Sequence, residues 1–453
     1  MSLMNAKRPA GRHGLSSRET RAPLGYAMAA LNRIAQSDLV DRLGVRKQTE
    51  QAVFSVTRSG FKVAVGAGRR FARSGSSAPG QRAAAATGSG TFDLTPTEDQ
   101  QMLVDVCTEL AEEILRPAAA QADQDAAAPA EVLAAASEVG LSLLGVPEAL
   151  GGIAEERSAV AGVLVAEALA RGDMGLAVAA SASGAVATAL GLWGTDAQQQ
   201  TYLAAFSGED APVAALCLSE PSVLFDAMTP ATKAVRVADG YVLSGVKSAV
   251  VRGHEAELFV VGALLEGQPA LFVIEGGLEG LSVEGDPSMG VRAASLTRLH
   301  LEEVRVGFGA LLGGSDGEAY RECVRLSRLA WCALAVGTGQ AVLDYVKEYV
   351  NTREAFGEPV SHRQSVAFAV ADMAIELQSM RLLTWQAASR AARGKDFGRE
   401  VALARQLCGE KAMKIGLDGV QLLGGHGFVK EHPVERWYRD LRAVSLVEGG
   451  VLV

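Results

Sequence analysis

Aromatic residues make up only 5% of this 453-residue chain, so it cannot build a core of stacked rings. The five cysteines, Cys107, Cys217, Cys323, Cys332 and Cys408, are scattered with no CxxC, which removes the usual thiol redox and zinc-ribbon patterns and points to a reducing compartment. Six histidines show no HxxxH or HExxH spacing, so no metal site is expected. No strongly apolar run reaches the ~20 residues expected of a membrane-spanning helix. Positive charge is scarce beyond residue 90, where 28 Lys and Arg face 48 acids. That excludes nucleic-acid binding by the body of the protein. Residues 1–90 are the reverse, with 15 Lys and Arg against 4 acids.

The basic arm carries an amphipathic stripe between Tyr26 and Phe71 that includes Leu31, Ile34, Leu39, Leu43, Val53, Val56, Phe61 and Val65. Three readings stay open for residues 26–71: peripheral contact with an anionic membrane or a partner, a cleaved organelle transit peptide, or an extension packed on its own protein. A Gly/Ser-rich linker covers 74–91. From Phe92 the pattern becomes helical. Thr95-Pro96-Thr97-Glu98 reads as a capping box with Thr95 as N-cap and Glu98 three residues on. Further helical periodicity around 130–139, 155–171, 174–193 and 196–207 completes a helical domain over 92–210.

Short β-prone runs fill 211–313, from Val213–Leu218 to Leu299–Val306, with Asp239-Gly240 as a hairpin turn. From 314 to 453 helical periodicity returns, over about 316–352, 361–392 and 397–423, followed by a shorter helix ending near Glu448. The expected fold is mainly α with a central antiparallel β-domain and a C-terminal four-helix bundle. Gly337-Thr338-Gly339 lies inside a helical pattern and is not a nucleotide loop.

The chain's last motif sets the chemistry. Tyr438-Arg439-Asp440-Leu441-Arg442 leads into a five-residue, mainly apolar stretch, Ala443 to Val447, and then Glu448-Gly449-Gly450. A carboxylate at the edge of an apolar segment suits a general base, and the glycines allow a substrate close to the backbone. The plainer reading is a helix with a terminal glutamate and a glycine stop.

Four motifs decide between them. Arg353-Glu354-Ala355-Phe356-Gly357, Gln364 eleven residues after Arg353, Gln421-Leu422-Leu423-Gly424-Gly425-His426-Gly427-Phe428, and the Tyr438-Arg439-Asp440 and Glu448-Gly449 pairs stand in one order. Together they resemble the acyl-CoA dehydrogenase family over about 92–450. Leu216-Cys217-Leu218-Ser219-Glu220-Pro221 resembles its flavin-contacting strand. Met289-Gly290-Val291-Arg292 resembles a later signature.

The resemblance implies FAD-dependent α,β-dehydrogenation of an acyl-CoA thioester to the trans-2-enoyl-CoA. Glu448 is then the base for the α-proton and the flavin the acceptor of the β-hydride. No side chain accepts hydride, which fits the need for a flavin. The implied cofactor residues are Leu218, Ser219, Arg353, Phe356, Gln364, Gln421, Gly424, Gly425 and Gly450. Arg328, Phe225 and Gly449 are the implied substrate contacts. The backbone N–H of Glu448 and a flavin hydroxyl would hold the enolate oxygen. A homotetramer built as a dimer of dimers is implied, with Arg353, Phe356 and Gln364 reaching a neighbour's FAD and an electron-transfer flavoprotein as acceptor. The compartment is expected to be the cytoplasm, with the mitochondrial matrix and membrane association as alternatives.

Two segments depart from the family. Ser222-Val223-Leu224-Phe225-Asp226 replaces a Gly-Ala-Gly-Ser-Asp loop, and Ala249-Val250-Val251 replaces an aromatic flavin-stacking segment. Those departures sustain an alternative, a flavin-poor or inactive partner subunit of a heteromeric dehydrogenase. An oxidase passing electrons to oxygen is a third reading. Position 327, where some branches carry their base, holds Ser327.

Overall fold

The first cap of the described chain is Thr97, whose hydroxyl accepts from Gln100 N–H while the Gln100 side chain accepts from Thr97 N–H. The computed structural model describes residues 96–153, 157–208 and 211–453; the readings at 26–71, the linker at 74–91 and the proposed cap Thr95 lie outside them. The capping box is therefore Thr97-x-x-Gln100, two residues later than Thr95-x-x-Glu98. The helix starts at Glu98, which leaves Pro96 before the cap.

Helix α1 (Glu98–Leu110) runs through a π turn (Ala111–Leu115) into α2 (Arg116–Asp125). Pro117 has no N–H to give to the carbonyl four residues back, and the adjoining π turn is where the ladder loosens. Then come α3 (Ala130–Glu138), α4 (Ala159–Gly172), α5 (Met174–Trp193) and α6 (Asp196–Phe206). Helix α5 carries no charge along its 20 residues and is apolar enough to cross a membrane, which the sequence reading overlooked. Its packing explains the composition: 72% of its apolar window is buried inside the protein.

The middle domain holds β1 (Ala214–Cys217), β2 (Lys233–Val237), β3 (Gly240–Val251), β4 (Leu258–Leu265), β5 (Gln268–Glu275), β6 (Leu281–Gly285), β7 (Leu296–Gly307) and β8 (Leu311–Leu312). The sheet order is β6-β7-β3-β2-β4-β5-β8, with β1 beside β4. All pairings are antiparallel except those of β1 and β2, which run parallel to β4. The hairpin between β2 and β3 turns at Ala238-Asp239, with Val237 facing Gly240, so Gly240 opens the second strand. A Cβ there would stand 2.0 Å from the Val306 carbonyl oxygen of β7.

Helix α7 (Glu318–Thr352) is the spine of the C-terminal half, followed by α8 (Gln364–Ala392), α9 (Gly398–Leu423) and the two-turn α10 (Val434–Leu441). The last helix stops short of Glu448, because a 3₁₀ turn at Arg442–Ser445 unwinds it first. One apolar core joins α1–α5 to α7–α10, so the two helical regions are a single packed body. Gly337 lies within α7, and a Cβ on it would be 2.1 Å from the Glu167 carbonyl of α4, so this glycine serves helix packing.

Candidate active site

Past α10 the chain turns extended and lays itself along β1. Gly449 bridges Cys217 in antiparallel fashion, and Gly450 N–H donates to Leu216 O at 3.0 Å. Gly449 and Gly450 have φ of +82° and +75°, the left-handed region that favours glycine. A Cβ at Gly449 would sit 2.9 Å from the Leu216 carbonyl oxygen. The sequence reading gave these glycines to an approaching substrate. In this structure both are buried, the open face of Gly449 lying against Leu216 and Leu218 and that of Gly450 against Val251.

Two serines pin the peptide units on either side. Ser219 Oγ accepts from Glu448 N–H and donates to Glu448 O, each at 2.8 Å. Ser327 Oγ, on α7, accepts from Gly449 N–H at 2.9 Å. Trp331 Nε1, one turn further on, donates to Gly449 O at 2.9 Å. Trp331 is thus part of the frame. The Glu448 N–H that the resemblance gave to an enolate oxygen donates to Ser219 Oγ here.

The Glu448 carboxylate lies almost wholly out of solvent between two guanidinium groups. Arg328 Nε donates to its two oxygens at 2.9 and 3.1 Å, and Arg328 Nη2 stands 2.9 Å from Oε1. Arg405 Nη2 reaches the same oxygen at 3.3 Å and also donates to Val447 O at 2.8 Å. Arg405 Nη1 is buried with no partner among the described residues. Arg328 was anticipated at the site; Arg405 was not. Its only sequence signal is a charge at the spacing of the buried α9 positions Val401, Ala404 and Cys408. Charge-assisted bonds to a desolvated carboxylate are strong, yet both donors sit on side chains that can swing aside.

The remaining implied residues fall into two groups. Leu218, Ser219 and Gly450 are buried around Glu448. Arg353, Phe356, Gln364, Gln421, Gly424 and Gly425 are exposed at the other end of α7 and its neighbours. Arg353, Gln421, Gly424 and Gly425 line one surface cleft of about 640 Å³ together with Tyr349 and His426. Phe356 and Gln364 do not line it. Among the described residues, nothing lies within 4 Å of where a Cβ on Gly424 or Gly425 would stand. Tyr349 Oη and His426 Nδ1 are 2.8 Å apart at the rim.

In the altered loop, Phe225 packs on the apolar layer between the sheet and α5–α7, while Val223 and Leu224 are fully exposed. Asp226 caps its own turn through Met228 N–H at 3.0 Å. Val250 and Val251 are buried, and Ala249, at φ +51°, gives its N–H to Asp286.

Two buried charge clusters flank the site, and neither was read from the sequence. Glu220 accepts from Ala231 N–H, Thr232 N–H, Thr232 Oγ1 and Lys247 Nζ at 2.6–2.9 Å. Burial would raise the Glu220 pKa, but the Lys247 ammonium and the Thr232 donors outweigh it and hold the carboxyl below its usual range. The second cluster uses the Tyr-Arg-Asp motif as a clamp. Arg439 pairs bidentately with Asp123 of α2 at 2.8 Å, and Arg436 with Asp173 at 3.0 Å. Asp440 accepts from Val291 N–H at 2.6 Å. Burial, with the Asp173 charge nearby, pushes Asp440 up to about 8.

Comparison with known proteins places this geometry. The models of the acyl-CoA dehydrogenase N-terminal, middle and C-terminal domains match residues 97–209, 215–304 and 317–450. The mitochondrial short-chain specific acyl-CoA dehydrogenase of Bos taurus is 34% identical over 361 residues, 78% of this chain and 87% of that protein. A probable acyl-CoA dehydrogenase of Mycobacterium leprae is 30% identical over 375 residues, 80% and 95% of the two chains. Butyryl-CoA dehydrogenase from Megasphaera elsdenii superposes with a TM-score of 0.72 at 27% identity, over 78% of this chain and 95% of its own.

Proposed function

This chain belongs to the acyl-CoA dehydrogenase family, and from that premise we propose that it oxidises an acyl-CoA thioester to the trans-2-enoyl-CoA, with Glu448 as the base. The observation that carries the reading is a buried carboxylate whose backbone is fixed on both sides while its oxygens rest on two side-chain guanidiniums. Fixing the backbone sets where the carboxylate can reach, and the arginines give way when a substrate α-carbon arrives. Arg328 and Gly449 then border the thioester. Phe225 is a weaker candidate for substrate contact, because it already packs on the core.

The cofactor is FAD, which when bound supplies the hydride acceptor that no side chain offers. The residues around the 640 Å³ cleft fit its adenosine half: Arg353 for a phosphate, Gln421 for hydrogen bonds, and Gly424-Gly425 for close backbone contact. That group faces outward, as it must if the cofactor belongs to a neighbouring copy. Phe356 and Phe428 stand in solvent close to it in sequence, and Phe368, Ile375 and Leu382 expose a stripe at seven-residue spacing along α8. Apolar surface of this kind favours a homotetramer over a monomer. An electron-transfer flavoprotein remains the proposed acceptor. All five thiols are free and buried, which suits the cytoplasm or a mitochondrial matrix.

The test is the flavin-to-protein ratio of the purified protein, followed by anaerobic bleaching with acyl-CoA. Near-stoichiometric FAD that bleaches is expected, and Arg353→Ala should lower the ratio several-fold. A wild type that neither carries nor takes up FAD would leave the flavin-poor partner subunit as the better reading.

A further inference from the structure

Three successive peptide units pass through Glu448 and Gly449, and each is tied at both ends. The Gly449–Gly450 unit has Trp331 Nε1 on its carbonyl and gives its N–H to Leu216 O. The Glu448–Gly449 unit has Ser219 Oγ on its carbonyl and gives its N–H to Ser327 Oγ. The Val447–Glu448 unit gives its N–H to Ser219 Oγ, and its carbonyl accepts from Arg405 Nη2 at 2.8 Å. The same nitrogen stands 3.3 Å from Glu448 Oε1. Arg405 therefore touches both the main chain that carries the base and the base itself. Among the described residues, Arg328 bonds to the carboxylate alone.

Helix α9 brings Arg405 there through a face of small residues. Gly409, Ala412 and Gly416 lie four, seven and eleven residues beyond it, on the same side of the helix. A Cβ on Gly409 would stand 3.1 Å from Ser445 Cβ, and one on Gly416 3.0 Å from Tyr438 Cα. The helix thus lies close against the segment that leads to the base, and a long side chain one turn earlier reaches Val447. The Arg405 side chain is 12% exposed, against 24% for Arg328. Its Nη1 nitrogen has no partner among the described residues. A buried donor left unpaired opposes folding, so packing does not account for a guanidinium at this place.

We infer that Arg405 is a positioning residue for proton abstraction: by holding Val447 O it fixes the direction in which the Glu448 side chain leaves the backbone. This rests on the dehydrogenase reading above. A peptide unit is rigid and planar, so a bonded carbonyl fixes the plane that meets the Cα of the next residue. With the units on both sides of Glu448 Cα held in this way, its Cα–Cβ bond has one direction. The carboxylate can leave Arg328 and turn to the substrate while Arg405 keeps its main-chain bond. Arg328 has no such hold on the segment, so the two guanidiniums are not interchangeable.

The test compares Arg405→Met and Arg405→Lys with the wild type as purified holoproteins. Methionine fills much of the space and loses both bonds. Lysine offers one charged nitrogen, and both bonds of Arg405 come from one nitrogen. In Arg405→Met, kcat is expected to fall about 10²-fold, the effect of misplacing a catalytic group by ~1 Å, with KM within about twofold. Lysine should restore kcat to within about fivefold of the wild type. The second readout is uptake of deuterium from heavy water by acetyl-CoA, which has α-hydrogens and no β-carbon, so no hydride leaves. Exchange should fall together with kcat, while flavin content stays at the wild-type value. Unchanged kcat in Arg405→Met overturns the inference. So does kcat lost with exchange retained, which would move Arg405 to the hydride step. A parallel loss of flavin, or a lysine variant no better than methionine, overturns it as well and makes the residue structural. Failure of the dehydrogenase reading has a different signature: a wild type that neither turns over any acyl-CoA nor exchanges the α-hydrogens of acetyl-CoA.

Discussion

Glu220 and Glu448 are each 7% exposed, lie at two points where the chain meets β1, and are joined through Ser219, yet they are built for opposite purposes. Glu220 is gripped by two main-chain N–H groups, a hydroxyl and a buried ammonium, none of which can leave without opening a loop or a strand. Glu448 has the reverse arrangement. Its main chain is bolted to Ser219 and that of the next residue, Gly449, to Ser327 and Trp331, while among the described residues its carboxylate bonds only to the ends of two long side chains. Depth of burial does not separate a structural carboxylate from a chemical one. The kind of donor does: main-chain donors fix the oxygens, whereas side-chain donors can be exchanged for a substrate.

The comparison breaks most directly at Glu448. Glu448→Gln keeps the shape and removes the proton acceptor, so kcat should fall by roughly 10²–10⁴-fold while acyl-CoA affinity changes little. Steady-state kinetics beside a binding titration separates the two terms. Retained kcat would mean that the exchangeable carboxylate is not the base.

The matching test on the other side is Lys247→Met. It strands the Glu220 carboxylate in the interior, and removing one partner of a buried pair costs about 3–5 kcal/mol. Chemical denaturation should show that loss. A variant as stable as the wild type would show that the main-chain donors alone satisfy Glu220, which would make the contrast sharper still.

Sequence alone separated these glutamates only in part. Glu448 stood out because it belongs to a short motif, and Arg328 because the family resemblance implied it; the structure brings the two side chains together. Arg405 was not, since a lone arginine on an amphipathic helix looks like any surface charge until the fold brings it to Val447 and Glu448. The Ser219–Glu448 link spans 229 residues, and nothing local announces it. The elements followed from periodicity because strands and helices bury one face each. The missed pieces were those with no period of their own: the five-residue β6, the two-residue β8, and the 3₁₀ turn that ends α10 early. Lys247 was missed for the opposite reason. A lysine in a β-run reads as an outward position, and here it is fully buried because Glu220 waits inside.

Asp440 supplies a third case, between the other two, and the smallest expected effect. It has one main-chain donor, Val291, and shares its surroundings with the carboxylate of Asp173 as well as with Arg436 and Arg439. Burial and the Asp173 charge raise its pKa from the ordinary carboxylate value to about 8, so the folded protein holds a proton there that the unfolded chain releases near pH 4. Between those values the folded state binds more protons than the unfolded one, and stability must fall as pH rises. The slope is at most ~1.4 kcal/mol per pH unit for one proton, and it flattens above the folded pKa. Asp440→Asn removes the titrating group, and its amide oxygen still accepts from Val291 N–H. The variant should therefore show a flatter profile over pH 5 to 8 in denaturant melts, matching the wild type near pH 5 and exceeding it near pH 8. If the two profiles run parallel, the proton is not on Asp440, and Asp173, whose pKa burial also raises, becomes the carboxyl that carries it.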